Sequence, residues 1–438
     1  MGSFSEQHNW EGSSRAVWQI RICSYIAGML ATTEIIREAA QASRVQELLP
    51  RWREVPLYRE SFARDASGLA GLPVITKREM RTGFPQNFLH SGHTLDELLA
   101  EQLVELEHTS GTSEDRLPVI FARGWWNAQE ERALRLNRFV ARVLDDHPAA
   151  RRATITSPAC NGLTCPTVWM SQAQRTIGNA LFVNLARIPF LIPEAEQQYM
   201  ADEIADWAPP FLDLDPVHGV WFALFCERRG LRFPSLRFVL CSYEFVSVVH
   251  RRILERVFGV PVYNLYGSTE TGHLLMENEA GEMQPSYDTA YLEVADPDAN
   301  GIGSLIVTTL SNDYMPLLRY GIGDLAERNE RSYGTDYVVH GRARDALLAV
   351  NCRRVTTWQV DQCFAGVNGV AHYQLRQNSS GEWRLRYVPE SGGVDAGRLR
   401  AVMARLESLL EVSGTAEPVS TLVPEASGKF RLTCRTKE

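Results

Sequence analysis

The stretch Tyr263-Asn264-Leu265-Tyr266-Gly267-Ser268-Thr269-Glu270-Thr271-Gly272 decides how this chain is interpreted. A β-rich run at residues 260–263 leads into it, and the small residues that follow let a backbone approach a ligand closely. Tyr266 offers an aromatic face to a flat base, and Asn264 offers an amide to the edge of that base. Glu270 offers carboxylate oxygens to a hard cation such as Mg²⁺. Taken alone, the stretch fits a strand followed by a polar turn.

The bulk composition limits the classes of function. A chain of 438 residues is long enough for two or three domains with a sizeable core. Its net charge of −8 argues against a nucleic-acid partner, which usually requires a basic surface. No apolar run approaches ~18 residues, so no membrane span is expected. The polar start and eight cysteines without a C-x-x-C pair favour a cytoplasmic protein with reduced thiols.

Four further motifs accompany the central stretch along the chain. They are Thr109-Ser110-Gly111-Thr112-Ser113, Arg319-Tyr320-Gly321-Ile322-Gly323-Asp324-Leu325, Gly341-Arg342-Ala343-Arg344-Asp345 and Gly428-Lys429-Phe430-Arg431. Each alone fits an ordinary loop, but the ordered set resembles the adenylate-forming superfamily of acyl-CoA synthetases, peptide-synthetase adenylation domains and luciferases. The segment 303–310, followed by 316–320, is most similar to the phenylacetate–CoA ligase branch. The resemblance covers nearly the whole chain.

The resemblance implies an α/β fold with two domains. A large N-terminal domain of layered mixed sheets and helices, residues 1–343, would bind ATP and an acid. A small mobile α+β C-terminal domain, residues 344–438, would carry the catalytic lysine. The residue pattern itself predicts a parallel sheet with crossover helices within residues 150–240. Thr76 and Asn127 each precede a glutamate by three residues, the spacing of a helix N-cap with a capping box.

The resemblance also implies the site residues. Lys429, Glu270 and Thr269 would be catalytic, with Glu270 holding Mg²⁺, and Asp345 would be the hinge about which the small domain rotates. The ATP-binding residues would be Thr109, Ser110, Gly111, Thr112, Ser113, Asn264, Tyr266, Gly267, Ser268, Arg319, Asp324 and Arg342. Among these, Asp324 would accept both ribose hydroxyls. Arg319 and Arg342 would supply planar cationic groups to phosphate or ribose.

The sequence departs from the superfamily pattern in two places. Glu114 and Asp115 follow the Ser/Thr run where Gly and Lys are usual, so two carboxylates would repel a triphosphate unless they point away. Tyr243 replaces a small residue and is a candidate specificity residue. Together with His218 and Gly272 it completes the predicted substrate pocket. Because His273 has no cysteine nearby, we expect no structural zinc of the kind that some relatives carry.

The implied reaction has two steps. A carboxylate, aryl or otherwise hydrophobic, attacks the α-phosphorus of ATP to give an acyl-adenylate and pyrophosphate, and an acceptor then displaces AMP. CoA is the first acceptor to consider, so the expected cofactors are ATP, Mg²⁺ and CoA. The alternatives are an amine or carrier-protein acceptor, or a diazotase that activates nitrite for an aromatic amine. A non-catalytic nucleotide-binding regulator is disfavoured because binding alone needs neither Lys429 nor Glu270. The oligomeric state is left open, a homodimer included.

Overall fold

A computed structural model describes residues 36–64, 68–89, 92–109, 116–156, 170–183, 188–331, 334–425 and 428–436. Its helices are α1 (36–53), α2 (Pro56–Arg64), α3 (Lys77–Arg81), α4 (Leu95–Ala100), α5 (Trp125–Leu134), α6 (Arg138–Asp146), α7 (Glu194–Trp207), α8 (Pro216–Arg229), α9 (Val248–Phe258), α10 (Thr357–Gln362) and α11 (Ala396–Leu410). Short 3₁₀ helices lie at Leu69–Gly71, Ala173–Arg175, Pro189–Leu191 and Ala343–Asp345.

The first eleven strands are β1 (Val104–His108), β2 (Pro118–Ala122), β3 (Arg152–Ile155), β4 (Thr176–Ile177), β5 (Ala180–Phe182), β6 (Phe211–Leu214), β7 (Phe238–Cys241), β8 (Val262–Ser268), β9 (Gly272–Glu277), β10 (Met283–Pro285) and β11 (Ala290–Ala295). The remaining strands are β12 (Ile302–Thr309), β13 (Tyr320–Arg331), β14 (Gly334–Arg342), β15 (Leu347–Leu348), β16 (Arg354–Val355), β17 (Val370–Gln377), β18 (Trp383–Pro389), β19 (Thr415–Pro418) and β20 (Thr433–Arg435).

One sheet of twelve strands spans most of the described chain, in the order β11-β12-β13-β14-β10-β9-β8-β7-β6-β3-β5-β4. Strands β5, β3, β6 and β7 pair in parallel, as the pattern of residues 150–240 predicts, and β8 pairs in parallel with β7. In the other part of the sheet, which runs in the order β8-β9-β10-β14-β13-β12-β11, every pair of neighbouring strands is antiparallel. The predicted α/β fold class is confirmed. The carboxyl ends of parallel strands meet at one edge of the sheet, where ligands of α/β proteins usually bind.

The parallel strands are covered on both faces, which explains why they are almost wholly apolar. One face packs on α5 and α6 through a cluster that includes Phe211, Phe238 and Leu265. The opposite face packs on α7, α8 and α9. Because both faces are dry, a polar side chain at the carboxyl ends of these strands must find a partner there.

Residues 346–425 and 428–436, which we call the C-terminal unit, form a separate sheet in the order β19-β18-β17-β20. Its helix α11 buries Val402, Leu406 and Leu410 against that sheet. The C-terminal unit also packs on helix α9, which belongs to the preceding part of the same chain. The predicted domain boundary at residue 343 stays a prediction. None of the helices in the described part of the chain is both long and apolar enough to cross a membrane.

The two predicted capping boxes have opposite outcomes. Thr76 caps α3 and forms the full capping box with Glu79, as predicted. The prediction that Asn127 starts a helix is wrong, because α5 begins at Trp125 and is capped by Gly124 in a left-handed conformation. Glu130, the presumed capping partner, instead forms an ion pair with Arg152 at 2.8 Å. Tertiary contacts of a charged side chain here override a local capping pattern.

Candidate active site

The hairpin between β8 and β9 presents Glu270. The two strands pair Ser268 with Gly272, so Thr269, Glu270 and Thr271 form the turn. Gly267 permits this close approach, because a Cβ there would lie 2.2 Å from the carbonyl oxygen of Gly272. Glu270 is 4% exposed, and one carboxylate oxygen accepts a hydrogen bond of 2.8 Å from the Tyr320 hydroxyl. A buried carboxylate is thus held at the carboxyl edge of the sheet.

A second carboxylate, Asp324, lies at the start of β13 beside the same hairpin. Its two oxygens are held by different groups: the Tyr266 hydroxyl donates at 2.6 Å, and Arg342 Nε lies at 3.0 Å. Burial, followed by the charge of Asp324, raises the pKa of Tyr266 well above its usual value. A carboxylate has about four acceptor directions. Asp324 therefore keeps acceptor capacity for ligand hydroxyls after these two contacts, as its predicted ribose role requires.

Lys429 reaches the end of β7 from the C-terminal unit. Its ammonium donates a 3.2 Å hydrogen bond to the carbonyl oxygen of Tyr243, and the next amide, that of Phe430, donates to Glu244 Oε1 at 2.8 Å. Strand β7 pairs directly with β8, the strand that leads to Glu270. The structure thus brings the predicted catalytic lysine and the predicted magnesium ligand to neighbouring strand ends.

Helix α5 and the hairpin form an aromatic wall next to Glu270. Trp125 stacks near Phe121 with ring centroids 5.1 Å apart, and Trp126 lies 5.0 Å from the ring of His273. Gly272 has φ +74°, and a Cβ there would come within 2.9 Å of both Trp125 and Gln129. The predicted pocket residue Gly272 therefore lets the hairpin pass close to α5.

A buried polar network lies between this wall and β7. Asp213 accepts hydrogen bonds from Ser242 Oγ at 2.5 Å and from the Tyr243 hydroxyl at 3.1 Å. Arg152 lies 3.8 Å from Asp213 and 2.8 Å from Glu130. Burial, followed by the charge of Asp213, raises the pKa of Tyr243 well above its usual value. The predicted specificity residue Tyr243 is thus fixed by its hydroxyl, while its carbonyl receives Lys429.

The other substrate-pocket candidate, His218, lies on a different side of the site. It is 1% exposed on α8, and its Nδ1 is 3.3 Å from the carboxylate of Asp215, the N-cap of that helix. Its ring faces Phe430, with centroids 6.3 Å apart. The structure therefore brings His218 to the loop that carries Lys429 and not to the Glu270 hairpin.

Several predicted ATP-binding residues have structural contacts. Arg319 is not brought to the Asp324 group: its guanidinium donates to the carbonyl oxygens of Ala70 at 3.0 Å and Leu72 at 2.7 Å, and it pairs with Glu293. These contacts fix the chain before α3, and the role of Arg319 in ATP binding stays a prediction. The hydroxyl of Thr109 accepts the amide of Leu117 and closes the base of its loop.

The structure describes only some of the remaining predicted site residues. Ser268 exchanges a 2.9 Å hydrogen bond with Thr271, and the amide of Asn264 donates to Glu277. Thr269 lies in the hairpin turn. Ser110, Gly111, Thr112 and Ser113 lie outside the described residues, as do Glu114 and Asp115. Their roles in phosphate binding stay predictions.

The predicted hinge, Asp345, lies in the 3₁₀ helix Ala343–Asp345 and is 7% exposed. It forms an ion pair with Arg431, two residues after Lys429. Arg431 and Arg344 both also pair with Glu425, at 3.4 and 3.3 Å. Burial raises the pKa of Asp345 despite the charge of Arg431. The hinge is thus linked electrostatically to the lysine loop.

Four residues that contribute to this site were not predicted from the sequence: Tyr320, Asp215, Glu244 and Phe430. Tyr320 directly follows Arg319, and Phe430 directly follows Lys429. Their positions within the two motifs are the feature of the sequence that could have indicated them. Glu244 follows Tyr243, and Asp215 precedes a Pro at the start of a helix, the pattern of an N-cap. The partners of Tyr320, Glu244 and Phe430 lie 50 or more residues away along the chain, beyond the reach of local patterns.

The donor set fits Mg²⁺ only in company with phosphates. Within the described ranges, no group of three or more His, Cys, Asp and Glu side chains could hold a metal ion. Glu270 offers one buried carboxylate, and among the described residues only one of its oxygens accepts a hydrogen bond. Mg²⁺ commonly binds through one or two carboxylates plus the phosphates of its substrate and water. The site therefore suits a magnesium ion that arrives with ATP.

Comparisons with known proteins bear on the fold and on the class of protein. No protein-family model matches the sequence. The chain is 30% identical over 217 residues to a phenylacetate–coenzyme A ligase of Thermus thermophilus, a match that covers 45% of this chain and 48% of that protein. It is 37% identical over 84 residues to protein CapK of Staphylococcus aureus, across 19% and 18% of the two chains. The matches thus span about half, or less, of these relatives.

A solved structure extends the likeness to nearly the whole chain. The 2-hydroxyisobutyryl-CoA ligase in the postadenylation state, in complex with R3-HIB-AMP, has a TM-score of 0.65 at 16% identity, over 91% of this chain and 89% of that one. The chain therefore has the fold of adenylate-forming acyl-CoA ligases. The predicted resemblance to the adenylate-forming superfamily, and to its phenylacetate–CoA ligase branch, is confirmed.

Proposed function

We propose that the protein is an AMP-forming ligase that activates a carboxylate with ATP and transfers the acyl group to CoA. The observation that carries the proposal is the convergence of Lys429, Glu270 and Asp324 at one edge of the sheet, from two units of the chain. A lysine ammonium can neutralise charge that develops between a carboxylate and the α-phosphate. Asp324 would hold the ribose, and the loop from Thr109 would orient the pyrophosphate.

Each remaining part of the proposal has a physical basis. Magnesium, held by Glu270 and the phosphates, would neutralise phosphate charge when bound. The half-buried ring of Trp126, which packs on the buried rings of Trp125 and Phe121, supports an aryl or other hydrophobic acid, because aromatic faces pack well on flat apolar groups. The proposed mobile domain is the C-terminal unit, and Asp345 is its proposed hinge. Rotation there would withdraw Lys429 for the second step.

The experiment is acid-dependent release of pyrophosphate and AMP from ATP. Aryl acids, aliphatic acids and nitrite are each tested with CoA, with an aromatic amine and with neither, and the Lys429→Ala variant is the control. A CoA thioester formed together with AMP supports the proposal. AMP formed only with an amine, a carrier protein or nitrite assigns a different acceptor or oxyanion. Absence of turnover despite ATP binding argues for the regulator.

A further inference from the structure

The loop that carries Lys429 is fastened to the preceding part of the chain at two successive residues. Lys429 donates to the carbonyl of Tyr243, and the Phe430 amide donates to the side chain of Glu244. Both acceptors lie 186 residues earlier, directly after β7. Two successive contacts fix the direction of the loop as well as its position.

The ring of Phe430 occupies an aromatic cage. Its centroid lies 5.3 Å from His372, 5.5 Å from Phe190 and 6.3 Å from His218, with interplanar angles of 87°, 87° and 69°. Edge-to-face contacts of this kind are attractive because a positive ring edge meets a negative ring face. Phe190 and His218 belong to the N-terminal part of the chain, so the cage joins the two units. Phe430 is 9% exposed there.

Glu244 belongs to a buried acidic group. Burial, followed by the charge of Asp215, raises the pKa of Glu244 well above its usual value, and Lys429 opposes this shift. Asp215 itself is held by the amides of Val217 and His218 at the start of α8. Whether ionised or neutral, Glu244 keeps an oxygen that accepts the Phe430 amide. An unpaired amide at this position would be costly because it is away from water.

We propose that Phe430 and Glu244 are positioning residues for Lys429: the aromatic cage and the buried glutamate dock the lysine loop and hold the ammonium at the end of β7. Neither residue touches the reacting atoms. This inference rests on the proposed function for its catalytic meaning, but the docking itself can be measured without any substrate. When the C-terminal unit moves, Phe430 leaves the cage and Lys429 leaves the site together.

The sequence supplies a clean probe, because the chain contains only three lysines, Lys77, Lys429 and Lys437. Trace acetylation of the full-length protein followed by mass spectrometry gives the reactivity of Lys429 relative to Lys77. Phe430→Leu removes the ring from the cage, and Glu244→Ala removes the acceptor. Phe222→Leu is the matched control, because it removes a buried ring from another aromatic cluster on α8, beside Phe233 and Phe258.

Undocking exposes the ammonium, so we expect Phe430→Leu and Glu244→Ala each to raise the relative acetylation rate of Lys429 about tenfold. Glu244→Gln, which keeps an acceptor oxygen, should restore the slow rate, and Phe222→Leu should leave it unchanged. Hydrogen exchange of the peptide that spans residues 428–436 should accelerate in the same two variants. Equal Lys429 reactivity in Phe430→Leu, Glu244→Ala and Phe222→Leu would overturn the proposal.

Kinetics then connect docking to catalysis. With an acid that supports ATP–pyrophosphate exchange, Phe430→Leu should lower kcat and leave the KM for ATP unchanged, because the ribose and magnesium groups lie elsewhere. A rise in the KM for ATP with unchanged kcat would contradict a positioning role. If no acid supports exchange in the wild type, the proposed function fails, whereas the acetylation result still decides whether the loop is docked.

Discussion

The two halves of the candidate site are built differently. Tyr266, Asp324 and Arg342 lie on β8, β13 and β14 of one continuous sheet, and Glu270 lies on the turn between β8 and β9. Asp324 contacts both Tyr266 and Arg342 directly, and Glu270 is held by Tyr320 of β13. Lys429 comes from the C-terminal unit, which meets α9 through a shared apolar cluster and through a set of polar contacts. The polar contacts are hydrogen bonds from Ser247 and the Val248 amide to Asp361, between His250 and His372, and from Arg252 and Arg256 to Glu390.

The difference indicates which half can move. Separating neighbouring strands would break a ladder of backbone hydrogen bonds and open an apolar core. Separating the C-terminal unit from α9 would break no strand pairing among the described residues, and part of the surface that it exposes is polar, as in interfaces that form and break during function. The half that holds Glu270 and Asp324 is therefore expected to be permanent and the lysine half releasable. The predictions below test this contrast, from the largest expected effect to the smallest.

Lys429→Ala should give the largest effect. Loss of one positioned cation should lower the kcat of acid adenylation by ~10²-fold or more, equivalent to ~2.7 kcal/mol. ATP binding should change little, since the groups assigned to the nucleotide are on the permanent half. ATP–pyrophosphate exchange and ATP binding by calorimetry measure the two terms, with Lys77→Ala as the control. Adenylation within a few-fold of wild type would remove Lys429 from the mechanism.

Acid should loosen the releasable half. Burial lowers the pKa of His250 to about 4 and that of its partner His372 well below its usual value. In the unfolded chain a histidine binds a proton below about pH 6.5. Proton uptake therefore favours the open or unfolded state, and the stability from neutral His250 is lost as the pH falls from 6.5 towards 4. By pH 5 the loss from this group is about 2 kcal/mol.

Thermal unfolding and Lys429 acetylation from pH 7.5 to 5 measure this effect. Asp361, whose pKa burial raises to about 6, works in the opposite direction because its contribution is lost as the pH rises from about 4 to 6. The comparison of His250→Gln with wild type isolates the histidine, and the half-buried His147→Gln serves as control. An identical pH dependence in wild type and His250→Gln would contradict the prediction.

The sequence predicts the permanent half better than the releasable one. The Gly267–Gly272 hairpin, the parallel strands and the Thr76 cap depend on nearest neighbours and short spacings, which sequence patterns capture. The contacts of Arg319 could not be predicted from the sequence, because its partners, Ala70 and Leu72, lie about 250 residues away. The aromatic cage around Phe430 could not be predicted for the same reason, because its rings come from three distant segments of the chain.

Asp324→Ala should weaken ATP binding in a moderate way. The variant removes the predicted ribose acceptor and also frees Tyr266 and Arg342, so a loss of about tenfold, ~1.4 kcal/mol, is expected in ATP affinity. Asp336→Ala, which removes another buried carboxylate from the β13–β14 hairpin, is the matched control. Isothermal titration with ATP measures both. If the ATP affinity of Asp324→Ala were unchanged, the proposal that Asp324 and its neighbours bind the nucleotide would be wrong.

The smallest effect is expected at the ion pairs that join α9 to the C-terminal unit. Glu390 contacts Arg252 at 2.6 Å and Arg256 at 2.7 Å, but both arginine side chains are more than a fifth exposed. Ion pairs in contact with solvent contribute only ~0.2–1 kcal/mol, because water competes for both partners and salt screens them. Glu390→Gln also keeps an acceptor for Arg252.

We therefore expect Glu390→Gln to change stability by ~0.5 kcal/mol and to leave the acetylation of Lys429 near the wild-type rate. Glu227→Gln removes a more exposed partner of Arg256 and serves as the control. Denaturant unfolding at low and high salt measures the effect. If Glu390→Gln cost more than ~2 kcal/mol, or undocked Lys429 as strongly as Phe430→Leu, the ion pairs would be the principal fastening. The aromatic cage would then be a secondary one, and release of the C-terminal unit would depend steeply on ionic strength.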